Sequence, residues 1–598
     1  MRAIRDLPLA ASLVLAGSAL FFGGGAADGS LPWLGGGALL AVLLAHAIAG
    51  PPAGLRRLLP LAALTAWLAV SIAWSTLPDR SWAYADRAVV YLLFALLGLW
   101  LAPRARELAL GLGALLGLVA LWALLGKVVP SVYDYGPPGV ARLRGPVGLW
   151  NQLALLGAFA LPLALWRRRV EGTLLAFVWL VVLVLTESRG GIAVAAIVVA
   201  LWFVFASERI AAACILLAAA LPAAVVCGVA FALDGITSDG QSYHTRWRDG
   251  IVFGVVLVAG AAVAALLARV PSPQPTPLLR RAAIALGVLA AAAVVTVGVV
   301  KAGSAWRSFT SSAQVANTGN RLGSAASNYR WVWWKQAWRG FEHHVPAGTG
   351  AGTFHLTNLL YRTSFLDETI EPHNLPLQFL SETGVVGFAL LLAAAFALLR
   401  PGWGRAGPEL ALAVILPAYL LHALVDVDWD FAAVSAPAFL AAGALAGRPA
   451  PARRASGFAV LAAAGAALLV FGALLLPWLG ARWTGDAEAT LNDAQAVRLA
   501  KRARSVDPLS AEAVWAQALG TRDYSAAQEL YALATRKEPE NPEWWVLKGR
   551  YELDNGCARA ALTDFYRFNA LDPYAQPSAG PDDYRRALAL VNTGKPTC

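Results

Sequence analysis

The chain has 598 residues, 58% of them apolar and 14% charged, and its 48 Lys and Arg outnumber 37 Asp and Glu for a formal charge of +11. Soluble domains are roughly 45–50% apolar and about 25% charged, so a single large soluble core and a disordered chain are both excluded. Four cysteines are too few for a secreted disulfide scaffold. In a soluble protein the positive charge would point to nucleic acid; between long runs of Leu, Ala, Val and Gly it belongs to membrane-protein loops, and no nucleic-acid partner is expected.

Apolar runs of about 18 residues or more read as membrane spans. Fifteen are predicted, near residues 7–22, 31–50, 58–75, 88–102, 107–128, 149–166, 172–186, 190–206, 210–233, 250–268, 282–300, 376–399, 408–425, 431–447 and 457–479. With the N-terminus inside, the inner connections are short and basic: Arg56 and Arg57, Arg104 and Arg106, Arg167 to Arg169, Arg209, then Arg269, Arg280 and Arg281. Arg400 and Arg405 and finally Arg448, Arg453 and Arg454 complete the series, which puts the C-terminus outside. Arg2 and Arg5 before an apolar run give the first segment the look of a signal peptide; cleavage after about residue 27 would not change the parity of later spans.

The long connections all fall outside. Loop 129–148 carries Tyr133 and Tyr135 ahead of Arg142 and Arg144. Loop 301–375 is rich in Trp, Arg and His and too aromatic for disorder. Residues 480–598 form a polar tail. There, Ala-rich helical stretches end at Asp507-Pro508, Glu538-Pro539 and Asp572-Pro573, 31 and 34 residues apart, a spacing like that of tetratricopeptide repeats. The tail is either a helical cap or a partner-binding surface. A Cys557–Cys598 disulfide is open to it if that end faces an oxidising compartment. The chain therefore divides into a membrane domain, 1–481, with the large extracytoplasmic loop, and a tetratricopeptide-like helical domain, 482–598.

Charges near the membrane are functional hypotheses by default. Arg189 lies between two apolar runs on the side where no topogenic charge is needed. It is either an interface anchor paired with Glu187 or an anion site, because guanidinium matches phosphate bidentately. Arg142 and Arg144 precede Gly145-Pro146, and Asn151 opens the next span; arginines beside a helix N-terminus form a phosphate cradle or a solvated loop. Arg330 starts a segment whose Trp331, Trp334, Trp338 and Phe341 share one helical face, suited to the headgroup level or to a buried helix. His373 sits where the loop re-enters the membrane, with Glu382 two turns on. It is either a structural histidine or a general base working near neutral pH. Asp426, Asp428 and Asp430 read as arginine partners or an acidic loop rather than metal ligands.

Three segments together resemble the O-antigen ligase and polymerase family: Arg144-Gly145-Pro146 through Asn151; Ser188-Arg189-Gly190; and His373-Asn374 through Glu382-Thr383-Gly384. The spacing from Arg330 to Pro346 and Gly348-Thr349-Gly350 is similar too, and the resemblance covers roughly residues 60–445. It implies an all-α, polytopic glycosyltransferase of the GT-C-like kind in the bacterial cytoplasmic membrane, among membrane lipids. The implied activity moves a glycan from an undecaprenyl-diphosphate donor onto a lipid, glycan or protein acceptor outside, with inversion and without cofactor or metal. By position Arg189, Arg330 and His373 would take the catalytic roles. Arg142, Arg144, Asn151 and Glu382 would bind the diphosphate and glycan. The tail departs from the family pattern and leaves the acceptor open between ligase and polymerase. A transporter or a non-catalytic scaffold is the reading of another class.

The orientation is testable by cysteine labelling once the other free cysteines are removed. Leu530→Cys should react with an impermeant reagent in spheroplasts, whereas Arg168→Cys should react only after permeabilisation. Labelling of position 168 alone would reverse the topology.

Overall fold

A backbone without water to bond must satisfy its own amides, so apolar runs of this kind fold as helices. In a computed structural model, which describes residues 2–132, 139–167, 169–271, 276, 296, 300–311, 322–448, 455–576 and 580–593, helix accounts for 79% and no strand occurs among the described residues. The membrane region contains α1 (Arg2–Phe21), α2 (Leu31–Ala49), α3 (Leu59–Ser71), α4 (Pro78–Leu101), α5 (Ala105–Val128), α6 (Trp150–Leu165), α7 (Arg169–Leu185) and α8 (Arg189–Phe205). It continues through α9 (Arg209–Phe231), the single turn α10 (Asp234–Thr237), α11 (Tyr243–Leu267), α12 (Arg330–His343) and α13 (Phe354–Tyr361). After α14 (Leu375–Leu399) come α15 (Gly407–Ala413), α16 (Ile415–His422) and α17 (Ala432–Ala446). Then α18 (Gly457–Ala489) leads into α19 (Asp493–Val506), α20 (Glu512–Leu519), α21 (Tyr524–Lys537), α22 (Pro542–Asp554), α23 (Ala558–Leu571) and α24 (Pro581–Asn592).

Seven helical stretches among the described residues are long and apolar enough to cross a membrane, and five shorter apolar helices accompany them. The predicted span 282–300 apart from residues 296 and 300, the arginines at 168, 280, 281, 453 and 454, and Tyr133 and Tyr135 lie outside the described residues. The span expected over 408–425 is one apolar helical stretch, Gly407–His422, in which α15 and α16 meet at Val414, whose backbone stays right-handed. Pro417 marks the place in the sequence, since it has no amide to bond the Ala413 carbonyl.

The centre of the bundle is built from two helices. Every residue of α17 is buried, and α6 is buried from Gln152 to Leu165. Small residues let α17 press into α4: a Cβ on Gly443 would lie 2.0 Å from the Ala95 carbonyl oxygen, and one on Gly98 would lie 2.3 Å from that of Leu440. Without a hydrophobic drive between helices in lipid, such close contact is what holds them together. At about 1.5 Å per residue, α6 and α17 are roughly 22–24 Å long, short of the ~30 Å hydrocarbon core. The polar turns that precede them are therefore buried against protein, not lipid.

The tail is a run of helices packed in sequence, and Asp507, Glu538 and Asp572 close α19, α21 and α23. All three are buried, but with different partners. Asp507 accepts from the Leu509 amide at 3.1 Å, and Glu538 from Trp544 Nε1 at 2.6 Å. Asp572 instead takes a bidentate bond from Arg362, at 2.8 Å from Nε and 2.5 Å from Nη2, which ties the tail to the loop after α13. Cys557 is disulfide-bonded; Cys598 lies outside the described residues. The division drawn at 481/482 falls inside α18, which runs unbroken to Ala489.

Breaking a buried pair by removing one partner costs about 3–5 kcal/mol, more than replacing both. Arg362→Ala should therefore loosen the tail, seen as faster proteolysis of residues 490–598. The Arg362→Leu/Asp572→Leu double variant should recover much of the resistance. Wild-type cleavage of Arg362→Ala would show that the pair does not hold the tail.

Candidate functional site

The turns at the starts of α6, α8, α12, α14 and α17 converge at one end of the bundle. Arg142 is buried; its guanidinium stacks over Trp150 at 4.1 Å, donates to the Thr186 carbonyl at 3.0 Å and to that of Glu187 at 3.3 Å. It thereby braces the turn between α7 and α8. Ser188 caps α8 by accepting from the Gly191 amide at 3.2 Å, and its hydroxyl donates to Asn151 Oδ1 at 2.8 Å. Asn151 passes the chain on, donating through Nδ2 to Asp426.

Asp426 is where the elements meet. Its Oδ2 also accepts from Arg330 Nη2 at 3.0 Å, its Oδ1 accepts from the Val427 amide at 3.0 Å, and His373 Nδ1 lies 3.4 Å from the same Oδ1. Burial would raise its pKa, yet the facing His373 imidazole and the charges of Arg330, His373 and His422 outweigh it and hold the carboxyl well below the usual carboxylate range. The His373 ring stacks on Trp333, with centroids 5.1 Å apart, so its plane is set by the helix that Arg330 begins. Arg189, the first residue of α8, donates to the Ser324 carbonyl and, at 2.8 Å, to that of Ala326, gathering segment 324–327 over the site.

A cavity of about 290 Å³ lies between these groups, lined by Arg142, Asn151, Glu187, Arg189, Arg330 and Asp426 together with the 324–327 segment. Among the described residues the non-glycine residues with positive φ are Glu187 (50°), which lines the cavity, Asn328 (53°) and Tyr329 (67°), which directly precede Arg330, and His373 (53°), which faces Asp426. Such a conformation costs about 1–3 kcal/mol per residue and persists where the surroundings over-determine it, as at ligand sites.

Of the residues singled out in the sequence, Arg142, Asn151, Arg189, Arg330 and His373 come together here. Arg144 is not among the lining residues; its carbonyl closes the turn by accepting from the Gly148 amide at 2.9 Å. Glu382 is elsewhere. Its carboxylate accepts from the Gly352 amide at 2.8 Å and that of Phe354 at 3.1 Å, so it holds the glycine-rich loop 346–354. That loop enters α14 at Gly384, where φ is 64° and the helix opens; Val385 N donates to Val345 O at 2.9 Å, and Gly350 N to Glu382 O at 2.8 Å.

Asp426 is the residue that sequence reasoning undervalued. The three aspartates divide their partners: Asp428 lies 2.8 Å from His422 Nδ1, and Asp430 Oδ1 lies 3.9 Å from Arg87 Nε. Two thus meet arginines, as that reading allowed. Among the described residues no group of three or more His, Cys, Asp or Glu side chains is arranged to hold a metal ion. The signal available for Asp426 was its place, an acid directly after an apolar run on the side shared with His373.

These features define an all-helical, multi-pass membrane protein with an arginine-lined cavity and a His–Asp pair at one end of its bundle. Residues 243–392 match the O-antigen ligase family model, so over about a quarter of its length the chain is similar to membrane glycosyltransferases of the ligase and polymerase type. The matched segment holds Arg330, His373 and Glu382; Arg142, Asn151, Arg189 and Asp426 lie outside it. No curated protein matches the chain.

The interlock of loop and helix is testable. Gly348 has φ +68°, and a Cβ there would lie 2.2 Å from the Glu382 carbonyl carbon; Gly404 has φ +73° with nothing within 4 Å. Gly404→Ala should cost only the left-handed conformation, roughly 1–2 kcal/mol. Gly348→Ala adds a clash with backbone that cannot yield and should cost at least about 4 kcal/mol in thermal unfolding in detergent. Equal melting of the two variants would remove the interlock.

Proposed function

We propose that the protein is an O-antigen ligase-like glycosyltransferase of the bacterial cytoplasmic membrane, with about fifteen spans, its N-terminus cytoplasmic and its cavity and tetratricopeptide-like tail extracytoplasmic. It moves a glycan from an undecaprenyl-diphosphate donor to an acceptor hydroxyl. The observation that carries this reading is that Asp426 joins Arg330 and His373 at a cavity that Arg142 and Arg189 also line. An enzyme outside the cytoplasm has no ATP at hand, so its sugar arrives activated, and a lipid diphosphate is both activator and leaving group.

In this reading Arg189 and Arg330, supported by Arg142, face the diphosphate, whose charge grows as the glycosidic C–O bond breaks; donors held in place in a water-poor site stabilise that charge most. Asp426 holds Nδ1 of His373, leaving Nε2 to take the proton of the acceptor hydroxyl. The acceptor oxygen attacks the anomeric carbon opposite the diphosphate, the new glycosidic bond forms with inversion, and the lipid diphosphate leaves. No step calls on a metal ion. The polymerase reading differs only in its acceptor, a second lipid-linked glycan. The helical tail, tied to the loop beside α13 through Arg362 and Asp572, favours ligation to an acceptor that the tail recruits. A transporter is disfavoured because the arginines gather at one end of the bundle, whereas transport sites lie near the midplane.

Donor-lipid binding and single-turnover transfer, measured together in chelator-containing buffer, test the assignment. His373→Ala should keep donor binding and lose about 10²–10⁴-fold in transfer. Arg189→Ala should lose donor binding, and Arg189→Lys should rescue it poorly, because a point charge does not replace the planar fork. Asp426→Asn should lower transfer as His373→Ala does. Wild-type transfer by His373→Ala would remove the base, and normal binding and transfer by Arg189→Ala would leave that arginine a strut for segment 324–327.

A further inference from the structure

The opposite end of α14 carries a second concentration of charge that the transfer reaction does not use. Five arginines reach one cavity of about 800 Å³ from three separate stretches of chain. Arg56 and Arg57 come from the turn before α3, Arg400 from the end of α14, Arg405 from the loop that follows, and Arg448 from the chain leaving α17. The site described above borders the start of α14, and 25 residues separate the two ends, about 37 Å along the axis.

The inside rule asks for basic loops; it does not ask them to converge. Here they crowd. Arg57 is pushed below the ordinary arginine range by burial and then by the charges of Arg448, Arg405 and Arg400. Among the described residues one acid pairs with them: Glu409 lies 2.7 Å from Arg405. Arg57 Nη1 donates to the Ala446 carbonyl at 2.9 Å, whereas the side chains of Arg56, Arg400 and Arg448 have no hydrogen bond or ion pair among the described residues. Five guanidiniums gathered with one paired acid among the described residues leave the balance to an anion.

The flank of the cavity identifies the anion's carrier. Phe396, one turn before Arg400 on α14, is 61% exposed, and Trp403 at the rim is 80% exposed. Exposed aromatic rings beside a span belong at the level where acyl chains meet headgroups. Basic pockets between spans are the form that headgroup sites take. We propose that this arginine cavity binds the phosphate of an anionic phospholipid, with Phe396 and Trp403 against its glycerol and upper acyl chains.

The test is thermal unfolding of the full chain in non-ionic detergent, titrated with phosphatidylglycerol, phosphatidylcholine or inorganic phosphate. Phosphatidylglycerol should raise the midpoint by about 3 °C or more at saturation, and the other two should not. An equal rise with phosphatidylcholine would overturn the site, and an equal rise with inorganic phosphate would make it a free-anion site instead. The Arg56→Gln/Arg400→Gln/Arg448→Gln variant should melt as wild type without lipid, since those side chains make no bonds, and should need about 100-fold more phosphatidylglycerol for half its shift. If its insertion fails for want of topogenic charge, Arg448→Gln alone should need about fivefold more. A wild-type titration by either variant would sink the proposal.

Discussion

A buried carboxylate must find partners or give up its charge, and Asp426 keeps its charge by drawing in three elements. Asn151 at the start of α6, Arg330 at the start of α12 and His373 before α14 all address one side chain. The left-handed residues around them follow from this: Asn328 and Tyr329 turn the chain so that Arg330 arrives, and His373 itself takes the same strained form. Each strain is small beside the desolvation of an unpaired carboxylate, so one interaction over-determines the whole cluster.

Much of the architecture was legible because a bilayer dictates the length and composition of what crosses it. The inner arginines gave orientation as an expectation by the same logic. Arg189, Arg330 and His373 stood out because a charge or an imidazole beside an apolar run calls for a reason. Asp426 did not stand apart from Asp428 and Asp430, since alternation along a chain says nothing about which partner each acid meets in space. Glu382 shows the same limit of reading along the chain. Its distance from His373 along α14 is short, but Gly384 opens the helix and the loop 346–354 claims the carboxylate. The irregularity at Val414 lies in an apolar run, where Pro417 was its one sequence signal.

The two innermost helices explain why such a cluster can exist at membrane depth. Because α6 and α17 are short, the chain before each is irregular and polar, and it is tolerable only where other protein encloses it. Ser435, early in α17, donates to the Asp428 carbonyl at 3.0 Å, and Gln152 in α6 donates to the Asp428 carboxylate at 3.1 Å. The packing of Gly98 and Gly443 that brings α17 against α4 is thus also what walls the polar turns off from lipid.

The unbroken course of α18 has a mechanical meaning. Its 33 residues span about 50 Å, some 20 Å more than the hydrocarbon thickness, with no linker between the part that lies in the bilayer and the part that meets the tail. The tail is held like a crane on a mast, at one height and one bearing, and Arg362 acts as its guy-line to the loop. Whatever the tail carries does not search a sphere of positions, as it would on a tether. It stays within a fixed distance of the helix that carries it.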